Sequence, residues 1–216
     1  MKLPDPPLLL ITDRKQSRRP LDEVAAQACA AGCRWISIRE KDLSRTDQIA
    51  VARALRPITQ RAGARLTLHG DADLARDADV DGVHLPSGSV GRAARRLLGP
   101  DALIGLSIHS VREAADLDDT VLDYVIVGPA YATASKPGYG PPLGPDGVVA
   151  IVREAAVPVI AVGGIAADNI APLIHSGVAG VAIMGAMMRA ADPAREMASL
   201  VNALAATETF RTQLRS

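Results

Sequence analysis

The stretch Val157-Pro158-Val159-Ile160-Ala161-Val162-Gly163-Gly164-Ile165 decides the fold, together with its successor Val178-Ala179-Gly180-Val181-Ala182-Ile183-Met184-Gly185. Unbroken apolar, β-branched residues are what a strand needs when both its faces are covered, and such strands belong to parallel sheets flanked by helices. Both runs stop at glycine. Two successive strands ending in glycine-rich turns suit the anion site of a (β/α)8 barrel, where backbone N–H groups and the start of the following helix hold a phosphate. Either glycine cluster alone reads equally as a tight βα turn. Their succession at the end of a repeating α/β pattern makes Gly163, Gly164, Met184 and Gly185 the candidate phosphate binders.

The same alternation runs back through the chain. Strands are expected at Leu8–Asp13, Trp35–Lys41, Arg65–His69, Asp81–Leu85, Ala102–Ser107 and Asp123–Gly128, with helices opening at Pro20, Ser44, Asp71 and Ser110. From Leu10 to Ile183 seven steps cover 173 residues, about 25 per unit, which is the spacing of β/α units. The expectation is a single TIM barrel over residues 1–216, with 1–7 a flexible N-terminus and 205–216 a C-terminal tail. Residues 129–145 form the one long loop, and long loops in compact domains tend to be lids.

Composition narrows the partners. Lys plus Arg equal Asp plus Glu at 24 each, so no net field draws the chain to nucleic acid or a lipid surface, and a small molecule is the expected partner. The N-terminus lacks an apolar signal region and no run is long enough to span a bilayer, which points to a cytoplasmic protein. Cys29 and Cys33 are too few for a metal site and read as two buried thiols on the first helix. With one Trp, three Tyr and one Phe, an aliphatic core is expected.

Strand ends converge at the mouth of a barrel, so polar residues at those ends become neighbours. Arg39 and Lys41, two apart in an extended strand, would point to one side and could hold a carboxylate or phosphate, or they could be solvated charge. His109 precedes the Ser110-Val111-Arg112-Glu113 capping box, and the positive end of that helix would favour a neutral imidazole suited to proton transfer. His69 and His84 are weaker candidates. Thr133, Ser135 and Lys136 lie in the long loop.

Over nearly its whole length the chain resembles the thiamine phosphate synthase/TenI superfamily. The matching pieces are Leu10-Ile11-Thr12-Asp13, Ile38-Arg39-Glu40-Lys41, Asp81-Gly82-Val83-His84-Leu85, Gly128-Pro129-Ala130-Tyr131, Thr133-Ala134-Ser135-Lys136, Pro142-Leu143-Gly144 and Val162-Gly163-Gly164-Ile165. The resemblance implies a TIM barrel, a homodimer, and a thiazole phosphate held by the Gly163-Gly164 turn and the turn at Met184-Gly185. It also implies substrate-binding roles for Ser37, Arg39, Lys41, His69, Thr133, Ser135 and Lys136.

Two activities divide the superfamily. Synthases couple thiazole phosphate to hydroxymethylpyrimidine pyrophosphate with magnesium on the leaving group; TenI-type tautomerases aromatise a carboxythiazole phosphate through a histidine. Where synthases carry a glutamine this chain has Ser37, where they carry an Asn-Asp pair it has His69-Gly70, and their Gly-Gln-Glu-Asp stretch reads Pro86-Ser87-Gly88-Ser89. Magnesium needs hard oxygen ligands, so these departures favour a cofactor-free thiazole tautomerase with no metal ligand and His109 as the acid/base. The synthase, with magnesium and Asp71 as substitute ligand, is the alternative. A non-catalytic thiazole phosphate binder is the second.

Overall fold

A computed structural model of the protein describes residues 3–135 and 141–213, with side chains through residue 207. Strands β1 (Leu8–Ile11), β2 (Trp35–Ile38), β3 (Arg65–His69), β4 (Gly82–Leu85), β5 (Leu103–Ile108), β6 (Tyr124–Val127), β7 (Val159–Val162) and β8 (Gly180–Ile183) are all parallel. They pair in chain order, and β8 closes on β1 through Leu9↔Ala182. Helices α1 (Leu21–Ala30), α2 (Arg45–Arg61), α3 (Ala72–Asp77), α4 (Gly91–Leu98), α5 (Val111–Ala115), α6 (Gly144–Glu154) and α7 (Ile170–His175) fill the crossovers. Two helices follow β8, namely α8 (Gly185–Arg189) and α9 (Pro193–Gln213). This is the (β/α)8 barrel that the apolar runs imply.

Alternation along each strand creates two cores. Leu8, Leu10, Ile36, Leu66, Val83, Ile104, Val125 and Val181 face outward against the helices. Leu9, Ile11, Trp35, Leu103, Tyr124, Ile126, Ile160 and Ala182 fill the barrel itself. The expected all-aliphatic core is therefore corrected at its centre, where Trp35 and Tyr124 meet edge to face at 4.7 Å. Glycine makes room for them: a Cβ on Gly105 would lie inside the Tyr124 ring.

Carboxylates lock the lower rim. Asp81 accepts from Leu66 N at 2.7 Å, and Asp123 accepts from Ile104 N at 2.7 Å and from Arg95 Nη2 at 2.7 Å. The chain ends differ from expectation. Pro7 carbonyl accepts from Val181 N at 3.0 Å, so the residue before β1 is already tied to β8. The segment expected to be a tail from 205 is helical in α9 up to Gln213, which packs on α1 and α7. Cys33 lies past the end of α1, beyond Gly32 with φ +104°, so the two thiols do not share a helix face, although both are buried.

Candidate active site at the barrel mouth

A cavity of about 320 Å³ opens at the C-terminal ends of the strands. Its two walls differ in chemistry. From β2 to β5 it is lined by Arg39, His69, His84, Ser107 and His109; from β6 round to β1 it is lined mainly by Ile126, Val162, Ala182, Met184 and Ile11, together with Thr133, Ser135 and Arg189. This asymmetry fits a ligand with flat apolar rings and charged groups at its ends.

Arg39 owes its position to a buried carboxylate. Glu40 is 1% exposed, and it accepts from Thr12 Oγ1 at 2.7 Å and from Arg14 N at 3.1 Å. Thr12 Oγ1 in turn accepts from Arg39 N at 3.0 Å. The ends of β1 and β2 are thus stitched together, with Glu40 at the centre of the junction. The chain then turns, with Leu43 N donating to Glu40 O at 3.0 Å. That turn explains a correction: β2 ends at Ile38, and Lys41 is exposed and does not line the cavity. Partial burial, and then the charge of Arg39, lower the pKa of the Lys41 ammonium from its ordinary value.

The histidines form a group. The His69 and His84 rings lie 5.0 Å apart, and His84 Nε2 meets Ser107 Oγ at 2.8 Å. His84 also stacks on Tyr124 at 5.6 Å, so the barrel core props the polar wall from below. His109 is exposed at the rim, and its backbone N–H donates to Glu113 Oε2 at 2.7 Å. Glu113 further accepts from Ser87 Oγ at 2.7 Å and Ser110 Oγ at 3.0 Å. Desolvation pushes the Glu113 carboxyl up, but the bonds from Ser87, His109 N and Ser110 outweigh it and its pKa is lowered. The capping box expected at Ser110–Glu113 is thus formed, on a helix of five residues whose N-terminal charge is covered by the Glu113 carboxylate.

On the opposite side the glycine turns need glycine. Gly163 has φ +103° and a Cβ there would sit 2.8 Å from Pro129 Cα; Gly164 has φ +63° and lies against Tyr131 and the Ala132 carbonyl. Asn169 holds the turn, accepting from Ala166 N at 2.9 Å and donating to Gly164 O at 2.9 Å. The β6–α6 segment is hydrogen-bonded onto β7 and its turn, through Ala130 N to Val162 O at 2.8 Å and Tyr131 N to Gly163 O at 3.0 Å. Thr133 and Ser135 consequently reach the cavity, whereas Lys136 lies outside the described residues.

Of the residues singled out from sequence, Arg39, His69, His109, Thr133, Ser135, Gly163, Gly164, Met184 and Gly185 line one cavity. Ser37 does not: it is 2% exposed, and its Oγ has no hydrogen-bond partner among the described residues. Arg189 and Ser107 were missed. Ser107 follows the same inward parity as Leu103 and could have been found; Arg189 closes α8, whose short length no sequence pattern marked.

The residues present do not fit a resident magnesium ion. Among the described residues no three His, Cys, Asp or Glu side chains converge on a metal position. His69 and His84 offer imidazole where that ion prefers oxygen, Ser87 is engaged with Glu113, and Asp71, the substitute considered from sequence, is exposed at the start of α3 and absent from the cavity wall.

Comparison with known proteins corrects the tautomerase expectation. A relative from Geobacter sulfurreducens described as a putative thiamine-phosphate synthase is 43% identical over 199 residues, 91% of this chain and 93% of that protein. The thiamine-phosphate synthase of Chlorobium luteolum is 37% identical over 96% of this chain and 99% of its own length. In structure, thiamine phosphate pyrophosphorylase from Pyrococcus furiosus superposes with a TM-score of 0.81 at 28% identity, covering 93% of this chain and 96% of that one. These relatives are named for the synthase reaction, so the isomerase reading drawn from the missing carboxylates is overturned. The model of the thiamine monophosphate synthase family matches residues 8–187, and the chain belongs to that family.

Proposed function

We propose that the protein is a transferase of the thiamine-phosphate synthase type, joining a thiazole phosphate to hydroxymethylpyrimidine pyrophosphate with release of pyrophosphate. The observation that carries this reading is the family match over residues 8–187, reaching from β1 into α8 and so across every strand end that builds the cavity.

The walls of the cavity divide the work. The thiazole phosphate sits at the Gly163-Gly164 and Met184-Gly185 turns, with Ile126, Val162 and Ala182 beside the two rings. Arg39 faces the pyrophosphate from the other side, with Thr133 as a hydroxyl donor. As the carbon–oxygen bond to pyrophosphate breaks, negative charge grows on the departing oxygens, and a fixed guanidinium with a pre-set backbone stabilises that charge without reorganising. His69 and His109, with Ser107 behind them, supply N–H and O–H donors along the same wall. No step is assigned to a metal held by this chain. Incubation with both substrates should yield thiamine phosphate and pyrophosphate in equal amounts, and Arg39→Ala should slow turnover by about 10²-fold, the usual loss for one such donor. Turnover unaffected by Arg39→Ala would remove Arg39 from the site.

A further inference from the structure

Arg189 ends α8 and lines the cavity. Its guanidinium lies directly over the turn that opens that helix, because a Cβ on Gly185 would overlap both of its terminal nitrogens and Ser135 Oγ. Glycine at 185 is what allows a cation so close to the turn. The acceptors of Arg189 are neutral: Nη1 donates to Gln16 Oε1 and, at 3.3 Å, to Ser135 Oγ. Arg14, Arg45 and Arg95 are each neutralised by an aspartate, whereas Arg189 makes no ion pair with a carboxylate among the described residues. The Gln16 amide is oriented from behind, since its Nε2 donates to Asp13 Oδ2 at 2.6 Å, leaving Oε1 for Arg189. Three loops, β1–α1, β6–α6 and β8–α8, therefore meet on one uncompensated guanidinium.

We propose that Arg189 binds the phosphate of the ligand seated on the glycine turns, exchanging the neutral amide oxygen of Gln16 for a phosphate oxygen. A phosphate dianion is a stronger acceptor than an amide, and the planar guanidinium can meet two of its oxygens at once. Ser135 stays in reach of the same anion. This rests on the thiazole phosphate end of the reading above, and not on the coupling step.

Calorimetry in chelator, with thiazole phosphate and its dephosphorylated alcohol as paired probes, tests it. Arg189→Gln should weaken the phosphorylated probe by about tenfold or more, as loss of a charge-assisted hydrogen bond does, and change the alcohol by less than about twofold. Arg189→Lys should fall between the two. Gln16→Glu should weaken the phosphorylated probe like Arg189→Gln, because a carboxylate would satisfy the guanidinium and repel the anion. Equal weakening of both probes by Arg189→Gln, no weakening of either, or unchanged phosphate binding in Gln16→Glu would overturn the proposal. An unaltered chain that prefers the phosphorylated probe through Arg189, yet makes no thiamine phosphate, would sink the synthase reading and leave this one standing.

Discussion

Glu40 concentrates more structural consequence than any other charged residue near the site. Burying a carboxylate is costly, and here it is offset by bonds from Thr12, from the Arg14 backbone and from the Arg14 guanidinium at 3.4 Å. Glu40→Ala would strand the Arg14 N–H and free Thr12, so a loss of about 2–4 kcal/mol in urea unfolding is expected, together with weaker pyrophosphate binding as Arg39 loses its anchor. A change below about 0.5 kcal/mol would contradict this account of the junction. Deeper in the barrel, burial pushes the Cys33 thiol up from 9.0 to about 12 and raises the Tyr124 phenol as well. The folded state disfavours both anions. Stability from Cys33 is thus complete below pH 9 and is lost as pH rises towards 12, at about 1.4 kcal/mol per pH unit for each titrating group. Urea midpoints measured from pH 8 to 11 should fall above pH 9, and Cys33→Ala should flatten that fall; an identical slope in the variant would show that Cys33 is not the source.

Among the elements, the turns after β7 and β8 join fold to chemistry. Gly163 combines a left-handed backbone with direct contact on Pro129. Gly163→Ala should therefore cost about 1–3 kcal/mol in strain and overpacking, and should weaken thiazole phosphate by about tenfold as the β6–α6 segment is pushed off β7. Wild-type affinity in that variant would exclude the turn from the phosphate site. These turns were legible because β-branched runs ending in glycine have few other readings in an α/β chain. The end of β2 was not. Sequence alternation extended it to Lys41 and put Arg39 and Lys41 on one side, but alternation holds only while the ladder lasts, and the Glu40 turn after Ile38 rotates Lys41 out. Likewise the run of α9 past residue 205 was read as a tail, since the helix as a whole carries no sharp apolar stripe.

At the scale of the whole molecule, the barrel sets an imidazole-rich wall carrying Arg39 against a largely apolar one that carries Arg189, and both belong to strand ends far apart in sequence. Eight strands and the single barrel were readable from periodicity, because each strand is buried on both faces. The reaction was harder to read. Two missing carboxylates speak against a metal held by the chain, but removing a metal ligand does not install a proton-transfer site, and His109 sits at the exposed rim with its backbone N–H bonded to Glu113. Charge supplied by Arg39 and Arg189 from opposite sides offers a different way to meet two anionic substrates. The most direct test is a coupling assay: purified protein, thiazole phosphate and hydroxymethylpyrimidine pyrophosphate, followed for thiamine phosphate and released pyrophosphate. The account predicts equimolar formation of both products. No thiamine phosphate, under conditions where calorimetry shows both substrates bound, would contradict it.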